Sequence, residues 1–238
     1  MHIKIEAYLA KPELTAEYRR TLVSFIKKSL MTYDEQLYKK MYVNSNSIKP
    51  FTFAVKLNSP LFEKDKVILA DERTELNLST GDFALGIQMY NAFLKQKSIA
   101  FAMPNGNAMT VRRVLINNSA EVEKEKVNIK FLSPLVVRKH NTNNYDKYLT
   151  YHDEDFQKEL VQIVKYQLEV LCGLKLSENE FFIKPVAPRK TVVCSMGIKF
   201  SCSIGSFELS APKNVINALY HYGMGSRRAE CFGMFDLI

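Results

Sequence analysis

The residues whose types and spacing best suit chemistry lie near the C-terminus, in the segment GMGSRRAECFGMF. Gly223, Gly225 and Gly233 bracket Arg227 and Arg228. Glycine lets a backbone approach a phosphate group closely, and arginine supplies forked hydrogen-bond donors to it. The alternative is structural: Gly223 caps a helix and the segment turns into a last strand. The spacing alone leaves both interpretations open.

The four cysteines show no pattern that predicts a metal site. Cys172, Cys194, Cys202 and Cys231 lack CxxC spacing, and no histidine is placed to complete a zinc site. We therefore expect no metal, no other cofactor and no disulfide framework, and we interpret the cysteines as buried thiols in a reducing compartment. No apolar stretch approaches the roughly 20 residues that span a bilayer. These features favour a cytoplasmic protein without membrane contact.

The charge of the chain indicates an acidic partner. The net charge is +8, and residues 1–118 carry 17 Lys and Arg against 11 Asp and Glu, whereas residues 119–238 carry 16 against 14. Nucleic acid is a common partner of a basic domain. The first half is the better candidate for a phosphate-facing surface.

The elements that must position these residues follow from apolar periodicity. Residues 2–9 alternate as a strand does, AEYRRTLVSFIKKSL has a helical stripe, and a second short helix is predicted over residues 34–42. FTFAVKL resumes the alternation, and KVILADERTELNLS is interpreted as a hairpin that turns around residues 71–73. The next helix is expected to direct Leu85 or Ile87, Tyr90, Phe93 and Leu94 inward, before the strand AMTVRRVLI.

The second half repeats this order. VNIKFLSPLVV is predicted as a strand, residues 154–172 as a helix ended by Gly173, and later strands include IGSFEL, which we expect to pair back across a turn at Gly205 and Ser206. The sequence thus predicts an α+β protein of two tandem ferredoxin-like (βαββαβ) domains. We place the domains at 1–118 and 119–238, with the joint in the polar stretch 117–125.

Three segments resemble a known family. The glycine-rich segment is similar to the C-terminal loop of the repeat-associated mysterious protein (RAMP) superfamily, specifically its CRISPR repeat-processing endoribonucleases. KPFTFAVKL and FLSPLVVRK resemble, in the same order, the strand after that family's active-site loop and the opening strand of its second domain. One departure is Cys231, which stands where the family usually has another glycine.

The resemblance implies cleavage of CRISPR precursor RNA without a metal. A ribose 2′-OH attacks the adjacent phosphate and leaves a 2′,3′-cyclic phosphate, which requires a proton acceptor, a proton donor and stabilising cations. Lys49 matches the family's lysine. The family's histidine has no counterpart between residues 30 and 51, where Tyr42 is the best-aligned position, and its tyrosine falls near Ser24 or Phe25. We therefore expect Tyr42 and Lys49 to be catalytic, together with Tyr38, which lies within reach of the same loop. The neighbouring Lys39 is within the same reach and is expected to contact RNA.

Other basic residues are candidate RNA contacts. Arg138 and Lys199 lie on second-domain strands where family members contact RNA, and the alternative for each is a solvated strand face. The cations of the first helix either contact RNA or only solubilise the helix; they are Arg19, Arg20, Lys27 and Lys28. The loop residues Gly223, Gly225, Arg227 and Arg228 complete the expected RNA-binding set.

Three functions remain open at this point. The first is an endoribonuclease that yields mature guide RNAs. The second is an inactive protein that binds repeat RNA, and the third is a structural subunit of a CRISPR effector complex. We expect the precursor-RNA repeat as partner, with a monomer or homodimer as the protein form.

Overall fold

A computed structural model describes residues 1–43, 47–117, 121–140 and 146–238. The chain divides into two compact units. The first comprises Met1–Lys49, Val55–Asn118 and Cys194–Ile198, and the second comprises Pro50–Ala54, Ser119–Val193 and Lys199–Ile238. The predicted joint at 117–125 includes residues 118–120, which lie outside the described residues, so its position stays a prediction.

The first unit follows the βαββαβ order with additional short strands. Its elements are β1 (His2–Leu9), β2 (Glu13–Thr15), α1 (Tyr18–Tyr33), α2 (Glu35–Tyr42), β3 (Thr52–Leu57), β4 (Leu61–Phe62), β5 (Lys66–Ile68), β6 (Arg73–Ser79), α3 (Phe83–Lys95), β7 (Ala100–Met103) and β8 (Asn107–Asn117). The main sheet has the order β3-β6-β1-β8-β7. Strand β1 is antiparallel to β6 and β8, with Ile3 opposite Leu78.

The second unit has the same arrangement of main elements. They are β9 (Lys126–Phe131), β10 (Val137–Lys139), β11 (Lys147–Leu149), α4 (Phe156–Cys172), β12 (Phe182–Ser195), β13 (Ile198–Ser210), α5 (Lys213–Tyr222) and β14 (Phe235–Leu237). Its four-stranded sheet has the order β12-β13-β9-β14, and β10 pairs with β11 in a small separate sheet. The order β3-β6-β1-β8 in the first unit is equivalent, which confirms the duplicated ferredoxin-like fold.

Alternation in β1 produces the core of the first unit. Ile3, Ile5, Ala7 and Leu9 are buried, while the residues between them face the other side of the sheet. Helices α1 and α3 pack together, and the rings of Phe25 and Phe93 stack at 5.9 Å. In the second unit, Leu160, Val164 and Leu168 of α4 provide the equivalent apolar stripe.

The predicted positions of two hairpin turns were wrong. Strand β5 does not form a hairpin with β6: it pairs with β2 and β4 in a three-stranded sheet, whereas β6 joins the main sheet. Gly205 lies inside the continuous strand β13, where a Cβ atom would stand 2.2 Å from the Ala187 carbonyl oxygen. The hairpin turns instead at Met196 and Gly197, whose positive φ angles of 53° and 79° suit a two-residue loop.

The expected inward face of α3 also needs correction. Leu85 and Phe93 are buried, but Ile87 and Leu94 are exposed and Tyr90 is only partly buried. The inward residues are Leu85, Met89, Ala92 and Phe93. Helix α3 has apolar residues on two faces, and periodicity alone did not identify which of them faces the sheet.

No helix in the described part of the chain combines the length and the apolar character needed to cross a membrane.

Candidate functional site

Helix α2 positions two of the expected catalytic residues. Its first turn is capped by Asp34, whose carboxylate accepts from the backbone N–H groups of Gln36 (2.8 Å) and Leu37 (3.1 Å). Leu37 and Met41 are buried and anchor the helix. Tyr38 and Tyr42 are four residues apart and therefore share a face, where their rings stack at 5.8 Å.

Two lysines approach the Tyr42 ring from different elements. The Nζ atom of Lys27, on α1, lies 4.9 Å from the ring centroid, and the Nζ atom of Lys49 lies 5.7 Å from it. Lys49 also donates to the backbone carbonyl of Ser47 at 3.1 Å. Tyr42, Lys49 and Lys27 are each partly buried, and the hydroxyl oxygen of Tyr42 is itself buried.

The electrostatics of this group follow from its two ammonium ions. Burial lowers the pKa of Lys49 below its usual value of 10.5, and the positive charge of Lys27 lowers that pKa further. A lysine with a lowered pKa is a better proton donor near neutral pH than an ordinary lysine. The same two charges can also stabilise negative charge that develops beside the Tyr42 ring.

The sequence left two roles open for Lys27, contact with RNA or solubilisation of α1. The structure brings it against Tyr42 together with Lys49, which is 22 positions further along the chain. The sequence showed only that Lys27 lies away from the apolar stripe of α1, and Lys28 has the same property. Lys28 instead approaches the Phe101 ring, so the pattern alone did not distinguish the two lysines.

The cavity of about 450 Å³ in the first unit is separate from this group. Residues of β1, β3 and β6 line it, including Tyr8, Lys56 and Arg73. The lining does not include Tyr38, Tyr42 or Lys49. The candidate catalytic group is therefore not part of this cavity.

The glycine-rich segment of the second unit is held by close backbone packing. A Cβ atom at Gly223 would lie 2.7 Å from the Thr52 side chain, and one at Gly225 would lie 2.6 Å from the Val136 carbonyl oxygen. Gly223 ends α5, and Ser226 N–H donates to the Val136 carbonyl at 2.8 Å. Each of these glycines therefore lies where a side chain would clash with its neighbours, and contact of Gly223 and Gly225 with RNA stays a prediction.

The two arginines of this segment differ in their surroundings. Arg228 is 5% exposed, its guanidinium donates to the Tyr222 carbonyl, and burial lowers its pKa to about 10. This burial gives Arg228 a structural role, and its expected contact with RNA stays a prediction. Arg227 is partly exposed and pairs with Glu230 (2.8 Å) and the Tyr148 hydroxyl (3.1 Å).

The segment also explains the position of Cys231. Its φ and ψ angles are 71° and 48°, a left-handed conformation that favours glycine. A buried cysteine occupies it here. Cys202 is likewise buried, but Cys172 is exposed and Cys194 is partly exposed, so the expectation of four buried thiols was wrong for these two.

The remaining expected RNA contacts are spread over both units. Arg19 is mostly buried with its guanidinium over the Tyr18 ring, whereas Arg20 and Lys39 are exposed and pair with Glu17 and Glu35. In the second unit, Arg138 pairs with Asp146 at 3.2 Å, and Lys199 is exposed on β13. Isolated surface ion pairs are weak, so a phosphate can replace the carboxylate partners of the exposed cations.

Comparison with known proteins gives a family and a fold. A family model described as CRISPR associated protein Cas6, C-terminal, matches residues 117–237. A Cas6-related protein from Pyrococcus furiosus is 20% identical with a TM-score of 0.86, over 100% of this chain and 98% of that one. A RAMP protein that binds different RNA substrates is 20% identical with a TM-score of 0.85, over 100% and 99%.

A third solved structure, a Cas6 product complex, is 16% identical with a TM-score of 0.75, over 100% of this chain and 99% of that one. At these identities the solved structures establish the shared fold. No curated protein sequence is matched. The family match covers the glycine-rich segment, while Tyr42 and both lysines lie outside the matched residues.

Proposed function

The chain belongs to the Cas6 family of CRISPR-associated proteins, and on that premise we propose that it is a metal-independent endoribonuclease that cuts CRISPR precursor RNA within its repeats. The products are guide RNAs with 2′,3′-cyclic phosphate ends. The observation that carries the catalytic part of the proposal is the placement of Lys27 and Lys49 against Tyr42.

The reaction needs only proton transfer and charge stabilisation. The 2′ oxygen attacks the adjacent phosphorus, the P–O5′ bond breaks, and one proton moves from the 2′-OH to a base while another reaches the leaving 5′ oxygen. The proposed acid is the Lys49 ammonium. The proposed base is the Tyr42 phenolate, whose oxygen is buried and has to become exposed when the RNA binds. Tyr42 ends the step protonated and Lys49 ends it deprotonated. Proton exchange with water then restores both groups.

Each remaining residue of the group has a defined part. A phenol, with an ordinary pKa near 10, is a weak base at neutral pH unless cations favour its ionised form. Lys27 supplies such a cation and also offsets the charge that develops on the phosphorane. Tyr38 stacks on Tyr42 and holds its ring in place. We therefore expect slow cleavage, which suits an enzyme that retains its product.

The exposed cations are proposed to bind the RNA backbone. Arg20 and Lys39 lie on α1 and α2, which also carry Lys27 and Tyr42. In the second unit Lys199 is exposed, and Arg138 and Arg227 are partly exposed. Side chains cannot easily enter the deep major groove of an RNA helix, so selectivity must come from shape and from unpaired bases. Affinity should fall steeply with salt, because phosphate neutralisation releases counterions.

The test is cleavage of a 5′-labelled repeat RNA from the organism's own genome in EDTA. We expect one cut, which a 2′-deoxy nucleotide at that position abolishes. Tyr42→Phe and Lys49→Ala should each reduce the single-turnover rate by about 100-fold or more. The matched control is Tyr33→Phe, because this phenol lies at the end of α1 beside Lys95; this variant should cleave normally.

A second candidate, binding without cleavage, is favoured by one observation: no histidine occurs between residues 30 and 51. In this case the chain holds repeat RNA or serves as a structural subunit of a CRISPR effector complex. Tight binding without a cut, in EDTA and with added divalent metals, would support this candidate. Recovery in a stable multi-protein complex would then identify the structural subunit.

A further inference from the structure

The hairpin of β10 and β11 has two faces with different chemistry. Val137 and Leu149 are fully buried and hold one face in the core of the second unit. Arg138 lies directly opposite Tyr148 in the antiparallel pairing, so the two side chains are neighbours on the other face. The carboxylate of Asp146 accepts from Arg138 at 3.2 Å and therefore lies on that face as well. The hairpin thus presents an arginine, a carboxylate and a phenol on one side.

Tyr148 brings a second arginine to this face. Its hydroxyl accepts from Nη2 of Arg227 at 3.1 Å, and the guanidinium carbon of Arg227 lies 5.9 Å from the centroid of the Tyr148 ring. The same ring stacks on the buried Phe200 at 4.4 Å, which fixes its orientation. Two guanidinium groups, those of Arg138 and Arg227, therefore lie beside one ring whose position is set by packing.

Each arginine has a carboxylate partner that uses only part of its donors. Asp146 accepts from Nη1 of Arg138, and Glu230 accepts from Nη1 of Arg227 at 2.8 Å. The Nε atoms of both arginines are buried, and neither has an acceptor among the described residues. A buried donor without an acceptor is energetically costly. This conformation thus leaves two guanidinium donors unsatisfied on one face of the second unit.

We propose that Arg138 and Arg227 form a binding site for phosphate groups of the RNA backbone, which Asp146 and Glu230 occupy in the free protein. The inference rests on the proposed function for the identity of the ligand, which is RNA. A phosphodiester has two charged oxygens that accept from paired guanidinium N–H groups. Exchange of carboxylate for phosphate can therefore engage the Nε donors that the carboxylates leave unpaired.

The exchange is feasible because the site is accessible and the displaced pairs are weak. All four side chains of the two ion pairs are partly exposed, by 16% to 31%, and partly exposed pairs contribute little to stability. The second oxygen of Asp146 lies 2.8 Å from Nδ1 of His140, so this carboxylate keeps a partner when Arg138 turns to the RNA. The two carboxylates therefore lower RNA affinity in the native chain, and their neutralisation raises it.

The test measures the binding of a fluorescently labelled repeat RNA with 2′-fluoro riboses in EDTA. This RNA has no 2′-OH to attack the phosphate, so binding is measured separately from cleavage. Asp146→Asn and Glu230→Gln should each lower the dissociation constant, by about threefold to tenfold. The matched control is Glu159→Gln, which removes the same charge from a partner of Lys139 (3.1 Å) on the opposite face of the hairpin. This control should change the affinity by less than about twofold.

A double-mutant cycle separates displacement from a general effect of charge. Arg138→Gln and Arg227→Gln should each weaken binding by about fivefold or more, and each should reduce the slope of log affinity against log salt concentration by about 0.7 to 0.9. In the Arg138→Gln background, Asp146→Asn should no longer raise the affinity, because no arginine is left for the carboxylate to occupy. The gain of affinity expected from the carboxylate variants cannot result from a loss of the fold.

Two results would overturn the proposal: carboxylate variants that bind no more tightly than Glu159→Gln, or an equal gain from Asp146→Asn with and without Arg138. A native chain that binds no repeat RNA would contradict the proposed function as well. Binding without cleavage of ordinary repeat RNA, with the expected gain of affinity, would support this site and contradict only the proposed ribonuclease activity.

Discussion

Replacement of Lys27 by methionine tests the proposed role of the lysine pair most directly. The Nζ atoms of Lys27 and Lys49 lie 4.9 and 5.7 Å from the same ring centroid, so they are at most about 10.6 Å apart. The pKa of Lys49 is lowered by burial and by the charge of Lys27. The methionine variant removes that charge and keeps most of the side-chain length, so the pKa of Lys49 should rise.

The size of the effect follows from the distance. At the largest possible separation of about 10.6 Å, two unit charges repel by about 0.4 kcal/mol in water and by about 1.6 kcal/mol at an effective dielectric constant of about 20, and a shorter distance increases both values. Because about 1.4 kcal/mol corresponds to a tenfold change in a proton-binding equilibrium, removal of this repulsion should raise the pKa of Lys49 by the corresponding amount. If protonated Lys49 is the acid, cleavage persists to a higher pH, and the alkaline limb of the profile moves up by the same amount.

The assay is the single-turnover cleavage rate of a repeat RNA between about pH 6 and 11, at saturating protein. Lys28→Met is the matched control, because Lys28 is on the same helix but its Nζ atom lies over the Phe101 ring. An alkaline limb that Lys27→Met leaves in place would refute the coupling between the two lysines. An equal displacement in both variants would attribute the effect to the overall charge of the protein.

Four further predictions concern stability. Gly225→Ala should lower the free energy of unfolding by about 3 kcal/mol or more, because φ is +89° and a Cβ atom would meet backbone; Gly173→Ala, with φ of +66° and open space around it, should cost only about 1 kcal/mol in the same urea titration. Arg228→Ala should cost about 2 to 4 kcal/mol by thermal unfolding, and a loss of RNA affinity without destabilisation would contradict its structural role. Asp34→Ala should cost about 1 kcal/mol by removing the cap of α2, and it should slow cleavage as well, measured on the same preparation. Burial lowers the pKa of His221 from 6.5 to about 4, so the unfolded chain binds more protons than the folded chain between these pH values. The free energy of unfolding should therefore fall by on the order of 1 to 2 kcal/mol, after allowance for partial exposure, as the pH drops from about 7 to 4. His221→Gln should flatten that pH dependence.

Local periodicity was sufficient to predict the duplicated fold. Alternation in β1 reflects a sheet that is buried on one side, and the stripe of α1 reflects a helix that packs on that sheet. Both patterns depend on a residue and its near neighbours. The order of elements in both halves could therefore be predicted without knowledge of which elements pack together.

Pairing between distant segments could not be predicted in the same way. Strand β5 has the composition of a hairpin partner for β6, yet it pairs with β2 and β4. Gly205 suits a turn, yet it lies where β13 passes close to the Ala187 carbonyl. In both cases the deciding contact comes from a segment that the local pattern does not contain. The same limitation applies to α3, which has apolar residues on two faces although only one face packs inward.

The candidate site likewise has features that depend on local sequence and features that depend on contacts between distant segments. The sequence by itself determined that Tyr38 and Tyr42 share a helix face, because their spacing is local, and it identified Lys49 through a family motif. Only the tertiary structure shows that Lys27 lies beside Tyr42 and that Arg228 is buried within the glycine-rich segment. The charge environment of a side chain and its exposure depend on what the whole chain packs around it, so residue type and spacing alone could not supply them.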